Sequence, residues 1–250
     1  VISSGCTNYP EITAAAFAKS VAIKSNASIV ISGGSLKVES IICTGNSSMD
    51  ISGGILKISS LIETKDFGCI NSSGSGGTVE ISGNCTFKAI NPQRCEFFNI
   101  VTDSGSTFSI KNDIYVLGNW TNLGIFDAQG HTVFFTGNSS DSSVTAGSSH
   151  FSGFVVKNDI SVNDSVVIDG AAVFYKGVKS LSSGNFVFNG SVDCKTDVTL
   201  GCGFSFGTGS SFSAPAGNLY LKGNSDFSGC GSFSHNDGTI YFHGFTPADV

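Results

Sequence analysis

The sequence predicts an all-β protein built as a parallel β-helix (β-solenoid), with a β-sandwich as the runner-up. Three observations lead there. Helical periodicity is nearly absent, glycine and polar turn residues divide the apolar residues into short runs, and the chain repeats itself at the length of one solenoid coil. Gly accounts for 32 of the 250 residues, and charged residues are only 13%. Low charge alone would suit a disordered chain, but disorder also requires low hydrophobicity. Here 40% is apolar and 21 residues are Phe, enough for a core. Short apolar runs between Gly, Ser and Asn read as many strands joined by turns. The one stretch of helical composition, Glu11 to Ser20, lacks a sustained helical period.

The repeat is the strongest signal. Residues 21–40 (VAIKSNASIVISGGSLKVES) and 41–60 (IICTGNSSMDISGGILKISS) agree without gaps at nine of twenty positions, including I-S-G-G-x-L-K. A weaker copy, VEISGNCTFKAI, begins at Val79. The second half uses another cassette, IYVLGNWTNLGIFDAQGHTVFFTG at 114–137 and LYLKGNSDFSGCGSFSHNDGTIYFHG at 219–244. The chain is therefore expected to form a single solenoid over residues 1–250, with ISGG-type coils in 1–100 and G-N…G-x-F…T-[VI]-x-F-x-G coils in 101–250. A coil this short cannot bury its own apolar face, so coils must stack to share one core. Side chains alternate in and out along each strand. Leu56 and Ile58 are expected inside with Lys57 outside, and Val133 and Phe135 on one face. Gly and Asn suit the corners, where positive φ is needed.

These motifs carry a resemblance. The opening CTNYPEITAAAFAKSVAIKSNASIVISGGSLKV resembles the first coils of bacterial secreted β-helix surface proteins. GNWTNLGIFDAQGHTVFFTG is similar to the G-N-W-x-N-x-G-x-F…G-T-V-x-F-x-G cassette of such adhesin-like and autotransporter-passenger-like chains. The resemblance covers most of the chain and implies a right-handed parallel β-helix at the cell surface or outside the cell. It carries no catalytic residue over. The chain departs from the pattern in its many cysteines and sequons, which leaves a eukaryotic source open.

The charge pattern excludes a nucleic-acid binder. The net charge is −6, and one Arg and 12 Lys are scattered singly, where phosphate neutralisation needs a basic stripe. No apolar run is long enough to span a membrane as a helix. The chain opens without a charged and apolar leader, so a secretion signal would already have been removed.

Cys6, Cys43, Cys69, Cys85, Cys95, Cys194, Cys202 and Cys230 stand singly, without a C-x-x-C pair, which disfavours zinc and thioredoxin-type sites. An even count in such a chain points to disulfides in an oxidising compartment, and buried free thiols are the competing reading. Cys43, Cys69 and Cys95 are 26 residues apart and Cys202 and Cys230 are 28 apart. Cysteines on neighbouring coils could therefore clamp the stack, since strands lie about 4.8 Å apart, a separation a disulfide accepts. Eight sequons occur, at Asn26, Asn46, Asn71, Asn84, Asn119, Asn138, Asn163 and Asn189. In a eukaryotic secretory pathway some would carry glycans and mark outward turns; otherwise they are bare corner residues.

Catalytic chemistry is weakly represented. A glycosidase needs paired carboxylates, and the 19 acidic residues are spread out. Asn112-Asp113 and Asn158-Asp159 could form a small acidic ladder on stacked coils, but they suit turn caps better. Arg94 reads as a loop cation rather than a lyase base. His131, His150, His235 and His243 lack metal-ligand spacing, and no Gly-rich calcium frame or phosphate loop occurs. No catalytic residue, metal or cofactor is assigned.

The expected function is a non-catalytic extracellular structural or adhesive module that self-associates end to end as a surface filament subunit, with a glycan or host-surface ligand as a further partner. The sequence after the second cassette shows no cap helix, and an open solenoid end pairs readily with another copy. The alternatives are a fragment of a longer array, a polysaccharide-active β-helix enzyme, or a carbohydrate-binding module. A row of exposed aromatics would mark the last of these.

Overall fold

A computed structural model describes residues 1–3, 9–71, 76–90, 94–137, 142–180 and 184–243. The described residues contain strands and turns and no helix. They fall into two units, Val1–His131 and Thr132–Val250, each a parallel β-solenoid, with about 11 turns in all.

In Val1–His131 each rung contributes a short strand to each of three faces. The first face stacks Glu11–Ile12, Ser28–Ile31, Ser48–Ile51, Cys69–Asn71, Glu96–Phe97 and Ile114–Val116. The strands Ala15–Lys24, Ser35–Thr44 and Ile55–Lys65 turn a corner within their length and serve the other two faces. Thr78–Ile81, Asn99–Thr102 and Trp120–Asn122 continue one of those faces. Asn84–Ile90, Thr107–Ile110 and Ile125–Asp127 continue the other.

Thr132–Val250 is built on the same plan. One face stacks Thr132–Phe135, the second half of His150–Val156, the second half of Ser165–Phe174, then Ser191–Cys194, Ser210–Ser213 and Cys230–Ser234. Another runs from Ser143–Thr145 through Ile160–Val162, Val178–Ser180, Val198–Gly201 and Asn218–Leu221 to Thr239–Phe242. All these pairings are parallel, which rules out the antiparallel sheets of a sandwich.

The repeat read from the sequence is the rung itself. Ser28 stands opposite Ser48 and Ile31 opposite Ile51, twenty residues on. The stretch of helical composition near the N-terminus is the corner-turning strand Ala15–Lys24. Its β-branched Val21 and Ile23 continue under Ile41 and Cys43, and tertiary pairing overrides the alanine propensity. Asn26 and Asn46 hold equivalent corners at φ of 64° and 56°, a region that favours Asn and Gly. Gly77 is required by space, because a Cβ there would lie 1.9 Å from the Ile51 carbonyl oxygen of the rung below.

The inward alternation builds columns. Leu36, Leu56, Val79, Ile100 and Trp120 stand opposite one another in turn, and none exceeds 2% exposure. Leu56 and Ile58 are buried, as are Val133 and Phe135. Each such side chain is stabilised by roughly 1.5–3 kcal/mol through burial. In the second unit the columns are aromatic. Phe154, Phe174, Phe186 and Phe188 form a continuous cluster with ring centroids 5.3–6.1 Å apart, and edge-to-face or offset pairs add about 0.5–1.5 kcal/mol each.

The disulfide expectation is corrected. Cys43, Cys69, Cys85, Cys95, Cys194, Cys202 and Cys230 are free thiols, and Cys6 lies outside the described residues. The reason is register. Cys43 stands opposite Thr64, Cys69 opposite Ser48, Cys85 opposite Phe108, Cys194 opposite Phe174 and Cys230 opposite Ser210. A rung advances Cys43 by 21 residues to Thr64, so Cys69 does not stand opposite it, although Cys69 and Cys95 lie near enough to raise the Cys43 thiol pKa further. The buried thiols act as small apolar fillers, and burial pushes Cys43, Cys85, Cys194 and Cys202 up to about 12.

Two predictions follow from this packing. Trp120→Ala should cost about 3–5 kcal/mol, read by circular dichroism in urea, while outward Thr121→Ala should shift the midpoint little. An aromatic disulfide reagent at mildly alkaline pH should label Cys230 in the folded protein and leave the six buried described thiols unmodified until denaturant is added. Labelling of Cys85 or Cys194 in the folded state would contradict the packing.

Candidate functional site

The first unit holds a cleft of about 380 Å³ lined by Phe87, Ala89, Arg94, Cys95, Asn112, Asp113, Tyr115 and His131. Its residues come from successive rungs. Phe87 and Ala89 lie on the strand Asn84–Ile90, and Tyr115 on Ile114–Val116. Asn112 and Asp113 occupy the turn before Ile114, and His131 precedes Thr132–Phe135.

The floor is apolar, with Phe87, Ala89 and Cys95 all buried. The rim is polar and cross-linked. The Ala89 amide donates to Asn112 Oδ1 at 2.6 Å, so this Asn caps the backbone of the rung below. Arg94 donates through Nε to Glu96 Oε1 at 2.7 Å, and its guanidinium carbon lies 4.1 Å from the Tyr115 ring centre. His131 Nδ1 and Asp113 Oδ1 are 3.7 Å apart. The structure thus unites Arg94, Asn112, Asp113 and His131, which the sequence offered separately. It adds Tyr115 and Glu96, which sequence reasoning missed. Their signal was the rung period, because Glu96 stands opposite Tyr115.

The other candidates lie elsewhere. Asp159 Oδ1 accepts from the Gly177 amide at 2.9 Å, and Asn158 Nδ2 donates to the Thr136 carbonyl at 3.1 Å, so both cap neighbouring rungs. His150 Nδ1 lies 2.9 Å from Asp169 Oδ2, and Asn189 donates to Asp169 Oδ1 at 2.7 Å, an outward ladder across successive rungs. His235 Nδ1 accepts from the Asp237 amide at 3.1 Å. Among the described residues, no three of His, Cys, Asp and Glu are grouped to hold a metal ion, and no helix is long and apolar enough to cross a membrane.

Of the sequons, Asn26, Asn46, Asn84, Asn119 and Asn189 are exposed. Asn71 and Asn163 are half-buried and donate to Cys69 Sγ and Thr145 Oγ1 at 3.3 and 2.9 Å. Asn138 lies outside the described residues.

A second feature lies in the other unit. The strands Cys230–Ser234 and Thr239–Phe242 form its last described rung. They pair with Ser210–Ser213 and Asn218–Leu221, and no strand pairs with their far edge among the described residues. Phe233 continues the inward column above Phe212, with ring centroids 5.6 Å apart. Ile240 and Phe242 stand over Leu219 and Leu221. Yet Phe233 is 46% and Phe242 70% exposed, where inward residues of lower rungs are sealed. On the outside, Tyr220 and Tyr241 stack at 4.9 Å, and His243 joins them.

Comparison with known proteins finds no matching family model, no matching curated protein and no matching solved structure.

The Asp169 ladder predicts a pH response. The Asn189 hydrogen bond, then His150, hold the Asp169 carboxyl below its usual value of 3.8. Its contribution is therefore present above pH 3.8 and lost as the pH falls through the lower folded value. Asp169→Asn should flatten the acid limb of the melting-temperature profile and leave its alkaline limb unchanged.

Proposed function

We propose that this chain is a non-catalytic structural or adhesive module of the cell exterior that associates end to end with further copies of itself. The observation that supports it is the 230–242 rung, whose inward Phe233, Ile240 and Phe242 and whose far backbone edge are paired with no further strand among the described residues. Exposed strand edges accept added strands. Here the edge is backed by Phe233, Ile240 and Phe242, so an added rung would gain main-chain hydrogen bonds and apolar burial together.

The occupant that fits is a parallel rung of a second copy, whose inward residues would cover the exposed Phe233 and Phe242. Small inward residues occur in the strand Ala15–Lys24, where Ala16 and Ala18 stand under Leu36 and Val38. A head-to-tail contact that does not close into a ring extends into a fibre. The low charge, turn-rich composition and adhesin-like cassettes support an extracellular setting. Exposed corner asparagines such as Asn26, Asn46 and Asn119 would then be open to glycans in a secretory pathway, and a glycan or host surface would be the further partner.

The non-catalytic reading draws on the cleft's pairing pattern. Arg94 is paired with Glu96, and among the described residues lining the cleft Asp113 is the one carboxylate, where glycoside hydrolysis uses two. Sedimentation velocity over a concentration series, with negative-stain microscopy, tests the assembly. The wild-type chain should form linear oligomers, and Phe242→Glu or Phe233→Glu should leave monomers that melt near the wild-type temperature. A wild-type chain that stays monomeric at every concentration would overturn the proposal.

A further inference from the structure

We infer that the cleft between Arg94, Asp113, Tyr115 and His131 is a binding site for a neutral pyranose sugar. Its size is the first argument. About 380 Å³ lies at the small end of ligand pockets, which suits one or two sugar units better than a long polymer or a macromolecule.

The chemistry of the lining is the second argument. A sugar presents an apolar C–H surface and a rim of hydroxyls that both donate and accept. The cleft closes over a floor of Phe87, Ala89 and Cys95, each at most 8% exposed, and its rim holds a guanidinium, a carboxylate, an imidazole, an amide and a phenol that donate and accept. Planar groups such as guanidinium and carboxylate recognise hydrogen-bonding partners in pairs, the geometry that vicinal hydroxyls offer.

Rigidity is the third argument. Arg94 is fixed between Glu96 and the Tyr115 ring, and Asn112 is bonded to the Ala89 amide. Those groups sit on or beside strands whose register is set by the stack, so little ordering is left for a ligand to impose.

Electrostatics selects the class. Arg94 is balanced by Glu96, and Asp113 faces His131. A phosphate, sulfate or uronate site needs surplus positive charge, and among the described lining residues the one fixed cation, Arg94, is paired with Glu96. A neutral ring loses nothing to that balance.

Saturation-transfer NMR on the full chain tests the assignment, with methyl glucoside, galactoside, mannoside and N-acetylglucosaminide as probes, and methyl glucuronide and inorganic phosphate beside them. At least one neutral pyranoside should receive saturation. Asp113→Asn and Tyr115→Ala should each weaken it by about tenfold, the worth of one good hydrogen bond or contact. Asp113 is half-exposed, so its amide variant keeps the test open if Tyr115→Ala fails to fold. Saturation of none of the neutral probes, an unchanged signal in Asp113→Asn, or preference for glucuronide or phosphate would each overturn the assignment. The residues concerned lie in the first unit, so the outcome is independent of the Phe233 and Phe242 assembly variants.

Discussion

Parallel register between neighbouring rungs governs the rest of this structure. A strand of four residues has too little surface to be stable alone, and isolated strand pairs are marginal in water. Holding Leu36 under Leu56 and Leu56 under Val79 joins many weak faces into one column. The same register satisfies the main chain, since each rung's amides and carbonyls meet those of the next. A slip of one residue would turn every inward side chain outward and expose the column along its length. The penalty rises with the number of rungs, so the register is specified more strongly than any single contact suggests.

The constraint also shapes the surface. Outward residues at one position of each rung must sit close to their counterparts, so the exterior becomes a set of ladders. Asn26 and Asn46 share a corner, Lys157 lies over the Tyr175 ring, and Tyr220 stacks on Tyr241. Such ladders are structural in origin, and a His–Asp–Asn row like His150, Asp169 and Asn189 arises without any demand from catalysis. Its geometry follows from three short polar side chains placed one strand spacing apart.

Much of the fold was legible in the sequence because the repeat is nearly gap-free. ISGG at 31–34 and at 51–54 fixes the rung length, and L-K-x alternation fixes which side faces in. No disulfide joins the described cysteines, and their spacing does not put them in one register column. Equal spacing between Cys43, Cys69 and Cys95 implies a shared position only if every rung has that length. On the first face the step is 20 residues from Val30 to Asp50, 21 from Asp50 to Asn71, 25 from Asn71 to Glu96 and 19 from Glu96 to Tyr115. The average period could be read, but the uneven steps could not, and a disulfide depends on the individual step. The cleft depends on one such step, the nineteen residues that set Tyr115 opposite Glu96 and bring its ring to Arg94.

That coincidence explains why a site forms where it does. A perfectly periodic solenoid has a uniform surface, in which each outward side chain is flanked by equivalents above and below, and concavities have no cause to appear. Recognition needs a departure from the period. Between Asn71 and Glu96 the first face takes its longest step, and there Arg94 and Cys95 enter beside Asn112 and Asp113 of the next turn. The stack on either side remains in register and supplies rigidity, while the irregular rung supplies unlike groups in one place. The open rung at Phe233 and Phe242 follows the opposite logic. Its pairing slips once, between Ser210 and Ser211, and then the column resumes, with Phe233 opposite Phe212 and Phe242 opposite Leu221.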